Sequence, residues 1–171
     1  MITPEQQKWI NHLSDKTKIK ILPFDPTSEE KFQKIKALIQ SRLGKEIPVR
    51  HRGSSNLGIS GQDEIDVYIP IDPEVFDYLI PPLTKLFGEP KSHYPLERAR
   101  FKTFEDKKHI DIFLINKKCT DWLNSVKFES HLKTNPKTLV KYEKLKKSCN
   151  DLSTREYYKI KTEFINEILK I

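Results

Sequence analysis

Residues 53–69 read GSSNLGISGQDEIDVYI. Alternate residues of a strand point the same way, so Glu64, Asp66 and Tyr68 share one face of this stretch and Ile65, Val67 and Ile69 the other. The apolar face suits a core; the acidic one does not. A second stretch, HIDIFLI over 109–115, repeats the pattern, with His109, Asp111 and Phe113 on one side and Ile110, Ile112 and Leu114 opposite. If the two strands lie side by side with these faces aligned, Glu64, Asp66 and Asp111 converge.

Three converging carboxylates repel one another unless something positive sits between them. Mg²⁺ or Mn²⁺ is the natural occupant, because a hard ion held by few protein oxygens takes its remaining ligands from water and a substrate phosphate. Such an ion serves phosphoryl transfer by neutralising charge and activating an attacking hydroxyl. The residues just upstream fit that use. Gly53, Ser54, Ser55 and Gly58 permit close backbone approach, and their N–H and hydroxyl groups suit phosphate oxygens. Arg52 is a candidate phosphate contact on the same strand face as Arg50, with His51 opposite. Glu64, Asp66 and Asp111 are thus the candidate catalytic and metal-binding residues, and Gly53, Ser54, Ser55 and Arg52 the candidate nucleotide-binding ones. His109 shares the face of Asp111 and could support it. A second reading of the same residues is a turn before an edge strand whose acids pair with Lys or Arg. Asp63 adds a third nearby acid, and a slip of one residue would change the face it occupies.

Working outward, Ile47 to His51 reads as a strand before the Gly/Ser loop, and Arg98–Phe104 and His109–Ile115 as a hairpin closed by Glu105–Lys108. Thr3-Pro4 opens a short helix, Ile19 to Phe24 is extended, and Thr27 with Glu30 forms a capping box before an apolar stripe through Phe32, Ile35, Leu38, Ile39 and Leu43. Asp72-Pro73 opens a helix that Pro81-Pro82 should interrupt or kink. Two helices finish the chain, one capped by Asn135 ahead of Pro136 and one opened by a Ser153/Glu156 capping box. The expected class is α+β: a small mixed β-sheet flanked by helices, with the C-terminal helices packed on it.

At 171 residues the chain suits one domain, divided as 1–44 N-terminal helices, 45–116 sheet with the site, and 117–171 C-terminal helices. Cys119 and Cys149 show no metal-binding or disulfide spacing, which points to a reducing cytoplasm. No segment approaches the apolar length that spans a bilayer, and residues 1–13 lack the basic and apolar regions of an export signal, so no membrane role is expected. The net charge of +7 is concentrated in residues 131–171, with ten Lys/Arg against five Asp/Glu. That bias fits a polyanionic partner or a solvated helix surface.

GS, then two acids separated by one residue, then a third acid on a later strand is the pattern of the nucleotidyltransferase superfamily, and Gly53-Ser54, Glu64-Ile65-Asp66 and Asp111 match it. Over most of its length the chain also resembles the GrpB family, which is similar in fold to minimal nucleotidyltransferases. The resemblance rests on ILPFDPTSEEKF, HRGSSNLGISGQDEIDVYI, FESHLKTNPKTLVKYEKLK and YYKIKTEFI. The chain departs from the family's usual single acid on the second strand and frequent histidine at the place of Asp111. The resemblance implies transfer of a nucleoside monophosphate from a nucleoside triphosphate to an acceptor, which could be RNA, protein or a small molecule. In that scheme Glu64 and Asp66 hold the metal, Asp111 completes the site and orients the acceptor, and Gly53 with Ser54 holds the triphosphate. The alternative is a non-catalytic nucleotide- or RNA-binding module of the same fold.

Overall fold

The computed structural model describes residues 1–170, which fall into two compact units. The sheet unit takes Phe24–Ile59 and Asp63–Leu123. Its elements are α2 (Ser28–Leu43), β1 (Arg50–Arg52), α3 (Gly53–Leu57), β2 (Glu64–Ile71), α4 (Pro73–Phe87), β3 (Ser92–Tyr94), β4 (Arg98–Glu105) and β5 (Lys108–Asn116), after α1 (Pro4–Asn11). Five strands form one mixed sheet in the order β1-β2-β5-β4-β3, in which only β2 and β5 run parallel.

One face of the sheet is dry. Ile65, Val67 and Ile69 of β2 join Ile110, Ile112 and Leu114 of β5 and Ala99 and Phe101 of β4, all fully buried. Phe32, Ile35 and Ile39 of α2 and Phe76 and Leu83 of α4 cover them. This is the apolar alternation predicted for β2 and β5. Burying a side chain such as Ile or Phe contributes about 1.5–3 kcal/mol, so this layer fixes the register. A one-residue slip would turn Asp66 and Asp111 inward.

Several local details differ from expectation. Between Gly53 (φ +74°) and Gly58 (φ +69°) the chain makes a single helical turn instead of a loop, because a left-handed glycine at each end lets it enter and leave. The first strand spans only 50–52, and 19–24 contributes just the isolated bridge Leu22↔Gly61, with Lys18↔Ser153 beside it. Thr27 does not cap α2. Its N–H and hydroxyl donate to the Asp25 carboxylate, an Asx-type turn that uses up the capping group. Nor does Asn135 cap its helix: its amide donates back to the His131 carbonyl. Helix α4 runs through Pro81 and Pro82 without a break, and the carbonyls these prolines cannot bond, those of Asp77 and Tyr78, belong to exposed residues.

The helical unit takes Met1–Pro23, Ser60–Gln62 and the chain from Asn124 onward. Besides α1 it holds most of α5 (Thr120–Thr134), a helix absent from the sequence reading, with α6 (Pro136–Ser148) and α7 (Thr154–Leu169). Ile19, Cys149 and Tyr157 are its buried centre, with Leu145, Leu152 and Ile160 packed around them. Phe128, Tyr142 and Phe164 make an aromatic cluster. The Thr3 and Ser153 capping boxes both form, the latter as predicted with Glu156. The fully buried Asn166 donates to the Met1 carbonyl and to Gln6, and Arg155 donates to the carbonyls of Asn11 and Leu13, so α7 ties down both ends of α1. Among the described residues no helix is long and apolar enough to cross a membrane.

Candidate active site on the polar face of the sheet

The second face of the sheet carries the polar residues. In the β2–β5 register Asp66 lies beside Asp111 and Glu64 beside His109, and the antiparallel neighbours add Arg52 opposite Asp66 and Lys102 opposite Asp111. Paired positions point to one side. Arg52, Glu64, Asp66, Asp111, Arg100 and Lys102 therefore share the face. One carboxylate oxygen from each of Glu64, Asp66 and Asp111 lies within 4.8 Å of the others. The convergence expected from alternation is present.

The three acids differ in their surroundings. Glu64 and Asp66 are half-buried, whereas Asp111 is only 3% exposed. Its Oδ2 accepts from the Arg100 guanidinium at 2.7 Å. Its Oδ1 is buried with no hydrogen-bond partner, and the Lys102 ammonium lies 3.8 Å from it. A buried carboxylate oxygen without a donor is costly. Asp111 has a carboxylate oxygen within 4.8 Å of those of the other two acids, and a hard cation held among the three would compensate the cost. The number and kind of donors fit Mg²⁺ or Mn²⁺.

The Gly/Ser turn leans against this cluster. A Cβ on Gly53 would lie 2.2 Å from Asp66 Oδ2, so only glycine lets the turn and the acid occupy their places. Ser55 is braced from behind: its hydroxyl lies 2.9 Å from His51 Nε2, while His51 Nδ1 lies 2.8 Å from Glu29 and its ring stacks on Phe32. A hydrogen bond from Gln33, joined by this contact with His51, holds the Glu29 carboxyl below its usual range. Arg52 lies over the Trp122 ring, 5.1 Å from its centroid. Tyr68 and Phe113, each two residues beyond an acid, stack on one another at 4.6 Å, and Trp122 adjoins Tyr68.

Asp63 stays out of the cluster. It sits just before β2 with φ +62° and pairs with Lys108, which also reaches Asp25 at 3.2 Å. This nearly buried lysine ties the start of β5 to the entrances of β2 and α2, which settles the ambiguity that Asp63 created. His109 is exposed and packs against Phe104. Arg100 and Lys102 were not singled out in the sequence. Their alternation on RARFK, read against the hairpin register, is the signal that would have found them.

The family model for GrpB protein matches residues 18–171, and the chain belongs to the GrpB family. Among solved structures, the conserved protein GrpB from Enterococcus faecalis is similar over 87% of this chain and 99% of that one, with a TM-score of 0.66 and 19% identity. The Cid1 poly(U) polymerase aligns with 91% of this chain and 53% of its own, at a TM-score of 0.47 and 17% identity. No match was found among curated proteins.

Proposed function

We propose that this protein is a cytoplasmic, metal-dependent nucleotidyltransferase, which moves a nucleoside monophosphate from a nucleoside triphosphate to an acceptor hydroxyl or phosphate on RNA, protein or a small molecule. The observation that carries the reading is the meeting of Glu64, Asp66 and Asp111 within 4.8 Å, with the side-chain-free Gly53 against Asp66. A structural acid pair on an edge strand does not need a third carboxylate at its side. Nor does it need a glycine that admits it.

Glu64, Asp66 and Asp111 would hold Mg²⁺ or Mn²⁺, and a bound ion would neutralise charge on the transferring phosphoryl group. The chain's own residues do the rest. Gly53, Ser54 and Ser55 offer N–H and hydroxyl donors to the triphosphate, with Ser55 kept in place by His51, and Arg52 supplies a positive charge at the same edge. The acceptor oxygen bonds to the α-phosphorus as the bond to pyrophosphate breaks. Asp111, whose Oδ1 has no hydrogen-bond donor, orients the acceptor and takes its proton.

One observation favours the non-catalytic alternative: Arg100 and Lys102 already supply Asp111 with counter-charge. Asp66→Asn separates the two. In the catalytic reading it abolishes stabilisation by Mg²⁺ with nucleoside triphosphates, and it leaves Tm in EDTA unchanged or raised, because a repulsive charge is gone. A wild-type protein indifferent to every Mg²⁺–nucleotide pair, or a variant clearly destabilised in EDTA, refutes the catalytic assignment.

A further inference from the structure

Asp111 has two oxygens in different situations, and the difference suggests how the site loads. Oδ2 is bound by Arg100 at 2.7 Å, and Lys102 stands 3.8 Å from Oδ1. Both cations come from β4, Lys102 opposite Asp111 and Arg100 opposite Phe113, and both keep a third or more of their side chains exposed. A divalent ion entering between Glu64, Asp66 and Asp111 would meet a guanidinium already attached to one ligand. The two positive charges would then repel at close range.

Resting on the nucleotidyltransferase reading, we infer that Arg100 is a counter-ion gate. In the free protein it neutralises Asp111 and keeps metal affinity low. When metal arrives with a linear polyphosphate, the guanidinium leaves Asp111 Oδ2 and pairs with phosphate oxygens, which it matches with the same fork of donors. The site therefore selects a metal–polyphosphate complex over the bare ion. Arg100 is a positioning residue whose effects on the two ligands have opposite signs. The guanidinium lies over the Phe113 ring, 5.9 Å from its centroid, on the same face as the acids.

The test compares wild type, Arg100→Gln and Arg100→Lys for binding of Mn²⁺ alone, by loss of the free-ion EPR signal, and of Mn²⁺ with inorganic tripolyphosphate, by calorimetry. Removing one close positive charge is expected to tighten binding of Mn²⁺ alone on the order of tenfold in Arg100→Gln, while the Mn²⁺–tripolyphosphate complex binds more weakly than to wild type. Arg100→Lys, which keeps the charge and loses the fork, stays near wild type for Mn²⁺ and falls between for the complex. Melting in EDTA checks folding. Arg100→Gln melts lower there and regains more on adding Mn²⁺ than wild type does. If both ligands bind more weakly to Arg100→Gln, or neither affinity changes, the gate is refuted while the metal site stands. If no protein binds Mn²⁺ in either form, the nucleotidyltransferase reading falls with it.

Discussion

Gly53 is the residue on which the geometry of the site turns. It carries φ +74°, and a methyl group there would sit 2.2 Å from an Asp66 oxygen. Gly53→Ala therefore combines backbone strain of about 1–2 kcal/mol with displacement of a metal ligand. The expected result is a lower urea midpoint together with loss of Mn²⁺ binding. Gly58→Ala, at a similar positive φ but with open space around it, should show the first effect alone. Asp25 makes a separate prediction. Hydrogen bonds from the Thr27 hydroxyl, the Thr27 N–H and Lys108 hold its carboxyl well below the ordinary carboxylate range. A lowered pKa in the folded state means that the stabilisation is complete above the unfolded value and disappears as pH falls. Urea unfolding should show the advantage of wild type over Asp25→Asn at pH 7 and its shrinkage below about pH 4.

Among the elements, the hairpin β4–β5 offers the clearest test. Its two-residue turn, Asp106-Lys107, has φ +47° and +65°, the geometry that right-handed strand twist favours and that ordinary side chains resist. Lys107→Gly should raise stability by about 1 kcal/mol in thermal unfolding. Lys108 ties Asp25 to Asp63, and Lys108→Met should cost about 2 kcal/mol because it strips Asp63 of its ion-pair partner and leaves Asp25 with Lys31 alone. Strands β2 and β5 were legible because their alternation is strict and each interrupts it only with acids. The Ser153 box was legible because no neighbour competes for its groups. Other features depended on partners distant in sequence or on competing local bonds. Thr27 had the right spacing for a cap, but Asp25 was closer. Helix α5 hid because Trp122, Leu123, Val126, Phe128 and Leu132 do not make a single stripe, and Leu123 and Val126 remain exposed. The convergence of Glu64, Asp66 and Asp111 was readable from alternation. The counter-charges from Arg100 and Lys102 were not, since they follow from hairpin register.

For the molecule as a whole, the two units are woven from alternating segments, with chain crossings after Pro23, Ile59, Gln62 and Leu123. No single cut releases a complete unit. We propose that the chain behaves as one folding domain for this reason. A fragment beginning at Asn124 carries Cys149 and Tyr157 but lacks Ile19, their buried neighbour, and lacks α1 with its bonds to Asn166 and Arg155. It should show little cooperative unfolding by circular dichroism. A stably folded 124–171 fragment would overturn the claim. The weave also bears on how the protein is born. The sheet unit is complete once Leu123 has left the ribosome, so the site can assemble on a nascent chain. Ile19 must wait for Tyr157, which is made well over a hundred residues later. During that interval the apolar side chains around Ile19 lack the residues that bury them, and a chain stopped there would hold a formed sheet and no helical unit.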